Sequence, residues 1–157
     1  MSTETVEATQ ALLRAERFGV LCTVQLARKP GWPMPSLAPY ALTPRGEPLL
    51  ALSALAQHTK NLLADPRAAL YVEARGEGDP QERLRIAVLG RARAAAPEEA
   101  PALKALYLAA HPRERGPAPA RGGKLRMAVL TMSTETVEAT RALLRAERFG
   151  VLCTVQL

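Results

Sequence analysis

Residues 20–42 read VLCTVQL-ARKPGWP-MPSLAPYAL. The first run, Val20–Leu26, is rich in β-branched residues, follows Gly19 and precedes a turn, the pattern of a strand. In Lys29-Pro30-Gly31-Trp32-Pro33 the prolines fix φ and the glycine permits the reversal. The next run, Met34–Leu42, alternates: Ser36, Ala38 and Tyr40 share one face, and Leu37, Pro39 and Ala41 the other. Pro39 offers no N–H to a ladder, so an edge or a bulge is expected there. Two strands joined by so short a turn form an antiparallel pair, and the rest of the chain follows the same style.

Upstream, Ser2 or Thr3 can cap a helix whose first turn carries Glu4 and Glu7, where carboxylates suit the positive helix end; Gly19 stops it. Downstream, Pro44–Pro48 is a second turn and Leu49–Ser53 a short buried strand. Leu55–Ala64 is helical in pattern and halts at Asp65-Pro66. Ala68–Ala74 reads as a strand, Arg75–Pro80 as a polar loop, and Arg83–Arg93 as an alternating strand with a bulge expected at Gly90. Pro97–Ala110 reads as a helix closed by His111-Pro112, and Leu125–Thr131 as one more strand after a glycine- and proline-rich linker. Short turns in place of regular helical crossovers predict a mainly β, antiparallel sheet or barrel with flanking helices, not a doubly wound parallel sheet.

Met132–Leu157 repeats Met1–Leu26 with one difference, Gln10 against Arg141. Near-identity of two units is not the signature of a solenoid, whose repeats diverge and number three or more. A tandem copy cut short, a fusion, and a C-terminal extension all fit it. The chain therefore divides into a domain at 1–131 and a second copy at 132–157, whose helix and strand can compete with the first for one place in the sheet. Without Met132–Leu157 the protein is expected to fold.

Of the 157 residues 48% are hydrophobic and 23% charged, which is globular composition. No run approaches the roughly 20 apolar residues of a membrane helix, and acidic Glu4 and Glu7 stand where a signal peptide carries positive charge, so a cytoplasmic protein with no membrane partner is expected. Cys22 and Cys153 are one cysteine seen twice and imply no disulfide framework. The net charge of +6 raises nucleic acid as a partner, but 4% aromatic residues are too few for stacking platforms and the arginines are scattered. No phosphate-binding glycine loop, zinc-protease helix motif or paired CxxC occurs, and two histidines, His58 and His111, are too few for a histidine-built metal site. Any chemistry is therefore expected to rest on a bound cofactor.

The informative block is Ser53-Ala54-Leu55-Ala56-Gln57-His58-Thr59-Lys60-Asn61-Leu62. It places hydroxyls, an imidazole, an ammonium and an amide around a helix start, where free N–H groups and the helix dipole favour an anion such as phosphate. With Gly19-Val20-Leu21-Cys22-Thr23 and Pro33-Met34-Pro35-Ser36-Leu37-Ala38-Pro39-Tyr40, this block resembles the pyridoxamine 5′-phosphate oxidase-like FMN-binding split-barrel proteins, nearest to the branch that includes haem-utilisation proteins. The resemblance runs from about Ala11 to Pro112, with Leu84–Gly90 and Leu106–Pro112 matching the family's later strand and helix.

The resemblance implies a six-stranded antiparallel split β-barrel that forms a homodimer and holds FMN at the subunit interface. It implies Ser53, His58, Thr59, Lys60 and Asn61 on the phosphate side, Ser36 and Tyr40 toward the flavin ring, and Arg85 as a further phosphate donor. The activity implied is an FMN-dependent oxidoreductase on an unidentified small molecule, with no catalytic residue assigned and no metal site. Haem is the alternative cofactor, with His58 or His111 as the available axial ligand. An incomplete, inactive copy is the third reading. Pyridoxamine 5′-phosphate oxidation itself is not expected, since the C-terminal substrate-contacting region of that enzyme has no counterpart here. After Pro112 the chain also departs from the family's aromatic-rich strand pair, so the last barrel strands are expected to be missing or replaced by the second copy.

Overall fold

The computed structural model describes residues 3–27, 29–112, 125–132 and 153–156. Strand β1 (Phe18–Val24) lies antiparallel between β2 (Pro33–Leu42) and β4 (Arg67–Glu73). From β2 the ladder passes to β3 (Pro48–Ser53), to β6 (Leu125–Met132), to β5 (Arg85–Ala94) and back to β4. Six antiparallel strands thus close into a barrel, as the turn-linked pattern predicts. The gap expected at its C-terminal end is absent, because Leu125–Met132 supplies the sixth strand.

Alternation explains the core. Leu21, Ala38, Tyr40, Leu50, Leu52, Leu70, Val72, Ile86, Val88, Ala128 and Leu130 all point into the barrel. Strand β3 reads as a continuous apolar run because both its faces are covered: Leu50 and Leu52 look inward, while Leu49 packs with Val129, Met127 and Tyr107 beneath helix α3 (Ala100–Ala110). Helix α1 (Thr3–Ala15) adds Leu12 and Leu13 to the interior at one end, where the Tyr40 hydroxyl donates to the Leu13 carbonyl at 3.0 Å. Helix α2 (Gln57–Ala64) covers the opposite end with Leu62, beside Thr23 and Met34.

Two expected irregularities turn out to be changes of partner. β2 pairs with β1 as far as Pro39 and with β3 from Tyr40, so the proline sits where the ladder changes hands. Likewise β5 begins its pairing with β6 at Gly90. Before that point, the same edge of β5, Ile86–Leu89, holds a four-residue parallel strand, β7 (Cys153–Gln156). The repeated segment therefore adds a seventh strand outside the six. No helix among the described residues is long and apolar enough to cross a membrane.

Candidate functional site

Strand β3 delivers Ser53 to the mouth of the barrel, and a tight turn starts α2 there. Ala56 N–H donates to the Ser53 carbonyl at 3.1 Å, and Leu55 N–H to Ser53 Oγ at 3.3 Å. The helix ends where Asp65 N–H donates to the Asn61 carbonyl at 2.7 Å and Pro66 forbids continuation. The Asp65 carboxylate meets the Arg67 guanidinium at 2.6 Å, a hydrogen bond that holds the acid down to about 2.

Two of the six polar residues in the block Ser53–Leu62 face inward. Thr59, 3% exposed, donates its hydroxyl to the Ser53 carbonyl at 2.6 Å. Asn61, 2% exposed, donates from Nδ2 to Thr23 Oγ1 at 3.0 Å and to Met34 Sδ at 3.6 Å, and accepts from Gln57 Nε2 at 2.9 Å. Buried polar groups must be partnered, and these bonds fasten α2 to β1, β2 and β3. Thr23 carries a signal visible in the sequence: it is a polar residue in step with inward-facing Leu21, and it needs a partner such as Asn61. Gln57 gives no such signal.

The remaining contact is the one with chemical consequence. Ser36 Oγ donates to the Leu21 carbonyl at 3.3 Å and lies 3.3 Å from His58 Nδ1. A serine has one hydroxyl proton. With that proton on Leu21 O, Oγ accepts from Nδ1–H, and the neutral ring keeps Nε2 as its unprotonated nitrogen. Burial lowers the imidazole's pKa, which favours that neutral form. In that tautomer, residues 22 positions apart on β2 and α2 leave the ring a Lewis base at Nε2.

The structure gathers Ser36, Ser53, His58, Thr59 and Asn61, and leaves Lys60 exposed on the same helix. Tyr40 and Arg85 lie elsewhere. Tyr40 is 1% exposed inside the barrel, at the α1 end. Arg85 pairs across from Glu73, at the Phe18 end of the sheet, and donates to the Pro80 and Gln81 carbonyls at 3.2 and 2.8 Å. Phe18 and Thr23 are five residues apart on β1, roughly 17 Å of strand. His111 ends α3, as the His-Pro pair predicts; its Nε2 lies 2.8 Å from the Tyr40 carbonyl, and its ring packs on Tyr107 and edge-on to Phe18. Trp32 is 66% exposed.

A family model described as pyridoxamine 5′-phosphate oxidase matches residues 5–137. The chain belongs to that family. It is 37% identical over 110 residues to the chloroplastic non-canonical heme oxygenase HOZ of Arabidopsis thaliana, covering 69% of this chain and 33% of that one. The chain thus spans about a third of that relative's length. Among solved structures, a heme binding protein from Mycobacterium smegmatis superposes with a TM-score of 0.71 at 27% identity, over 83% of this chain and 52% of the other. An FAD-binding protein from Mesorhizobium loti superposes at 0.63 with 18% identity, over 85% and 91% of the two chains, and speaks for the fold alone.

Proposed function

We propose that the protein binds haem at the mouth of its barrel, with His58 Nε2 as the axial ligand. The observation that carries this reading is the Leu21–Ser36–His58 chain of contacts, which prepares Nε2 as a neutral base. Metal-bound histidines commonly donate their other ring N–H to an oxygen, and Ser36 Oγ is placed to receive it. His111, the other imidazole, spends Nε2 on the Tyr40 carbonyl and is buried between two aromatic rings. Exposed Leu55 offers apolar surface near the same mouth, and Lys60 a cation for a carboxylate of the ligand. Haem, when bound, supplies an iron centre; the chain's part is to ligate, orient and shield it. The haem-related relatives support the reading.

FMN is the second reading, favoured by the family and by Lys60 at the start of α2. Less supports it locally, because Thr59 and Asn61 direct their donors to protein atoms and Arg85 lies at the far end of the sheet. Under it the protein is an oxidoreductase on a small molecule.

A second copy of the chain is the proposed partner. On the outer face, Leu37, Val20, Tyr71 and Ala87 form one cross-strand row, and Pro35, Cys22, Ala69 and Leu89 the next. These side chains stay half-buried or exposed, an apolar sheet face suited to a twofold contact. Parallel titrations with haemin and FMN on wild type and His58→Ala test the cofactor. A Soret shift in wild type that His58→Ala abolishes supports haem; no Soret change with tight FMN binding transfers the case to flavin.

A further inference from the structure

Helix α1 and strand β1 fill one place in the barrel, and the chain carries a second segment of nearly the same sequence. In the first copy, Leu12, Leu13 and Leu21 fill the interior, and Thr23 receives the Asn61 bond. Glu16 pairs with Arg75 at 3.1 Å, and the Arg17 carbonyl accepts from Tyr40 N–H at 3.0 Å. Gly19 crosses β4 so closely that a Cβ would lie 2.8 Å from the Tyr71 carbonyl oxygen. Each of these residues recurs in the second copy, as Leu143, Leu144, Leu152, Thr154, Glu147, Arg148 and Gly150.

The one difference falls where it does no harm. Gln10 is exposed and bonded to Arg14 alone, at 3.1 Å, so Arg141 in its place touches nothing in the core. It sets a like-charged neighbour four residues before Arg145, a small penalty that leaves the first copy preferred.

Chain direction also permits the exchange. β6 starts beside Ser53, at the α2 end, and runs past Leu49 toward the end where Tyr40 meets α1. It ends at Met132, opposite Gly90, and Met132 is the first residue of the second copy, so the copy follows β6 directly. In the structure its strand rests in parallel on β5, whereas β1 lies antiparallel between β2 and β4.

We propose that residues 132–157 are an interchangeable occupant of the α1–β1 place, able to displace residues 1–26 of the same chain and close the barrel in their stead. The inference is independent of which cofactor is bound.

The test uses the full chain. Leu21 is wholly buried, so a carboxylate there evicts the first copy. Leu21→Asp is expected to unfold cooperatively close to the wild-type midpoint, because the second copy takes over; Leu21→Asp with Leu152→Asp is expected to have no cooperative transition. Leu152→Asp alone is expected to match wild type. The proposal is overturned if Leu21→Asp is as unfolded as the double variant, if the double variant stays folded, or if Leu21→Asp is rescued only as a concentration-dependent oligomer in sedimentation.

Discussion

His58 Nδ1 stands 3.3 Å from Ser36 Oγ, whose own proton goes to the Leu21 carbonyl. Burial lowers the imidazole's pKa from its ordinary 6.5. The unfolded chain therefore binds the proton more readily than the folded one, and stability rises with pH in the window just below 6.5. As pH falls through that window stability is lost, until the lower folded value is passed. Thermal unfolding of wild type and His58→Gln between pH 7 and 5 is expected to show a shallower acid-side decline in the variant. Parallel slopes would show that His58 titrates as freely in the folded protein as in the unfolded chain.

Ser36→Ala removes the acceptor and leaves the ring free to change tautomer. Under the haem reading, a lost partner of this kind weakens ligand affinity by about 10- to 100-fold. The expected result is that weakening in haemin titrations, with a Soret band still formed. Unchanged affinity would mean that the serine does not set the ligand nitrogen.

Asn61 joins three elements through one amide: it donates to Thr23 and Met34 and accepts from Gln57. Asn61→Ala leaves a buried hydroxyl short of its donor and opens a small void, a loss of roughly 1–3 kcal/mol. Denaturant melts are expected to show that loss. Asn61→Asp should lose at least as much, because it places a buried carboxylate there and removes the donor to Thr23.

The contrast between these residues shows what the sequence discloses. Strand positions were legible because burial imposes a period of two: the inward set Leu21, Ala38, Tyr40, Leu70, Val88 can be picked out by alternation. The barrel's closure by Leu125–Met132 was visible only as a short apolar run, since nothing local tells that β3 and β5 await it. The polar block at α2 was legible as a cluster but not as a direction. A helix of eight residues turns its side chains through every orientation, so Thr59 and Asn61 go inward while Lys60 goes out. Pairing His58 with Ser36 required the register of β2 against α2, which no local pattern encodes.

Gly19 gives a sharp steric prediction. A Cβ at that position meets Leu70 Cδ1 and the Tyr71 carbonyl oxygen, both at 2.8 Å. The leucine can turn aside, but the backbone oxygen belongs to the β1–β4 ladder and cannot. Gly19→Ala is expected to destabilise the fold by about 1–3 kcal/mol. Gly46, with open space around its Cβ position but a φ of +83°, makes the contrast. Gly46→Ala acts through backbone strain alone, and Gly46→Asn, which tolerates that conformation better, should recover part of the loss. Equal losses for Gly19→Ala and Gly19→Ser in urea melts, each unrelieved by Leu70→Ala, would place the clash on the backbone oxygen.

Tyr40 is the counterpart at the other end of the barrel. The last carbonyls of an α-helix have no partner within it, and in α1 the Leu13 carbonyl is bonded by the Tyr40 hydroxyl at 3.0 Å. Burial pushes that phenol well above the usual tyrosine range, so it remains a donor at every working pH. Tyr40→Phe keeps the ring and its packing but leaves the carbonyl buried and unpaired, at a loss of roughly 1–3 kcal/mol. Because the ring lies on the barrel side of α1 and far from α2, the loss should appear in unfolding free energy and not in cofactor affinity. A Tyr40→Phe protein that unfolds like wild type yet binds haemin or FMN less tightly would place the hydroxyl at the ligand, as the family resemblance implies.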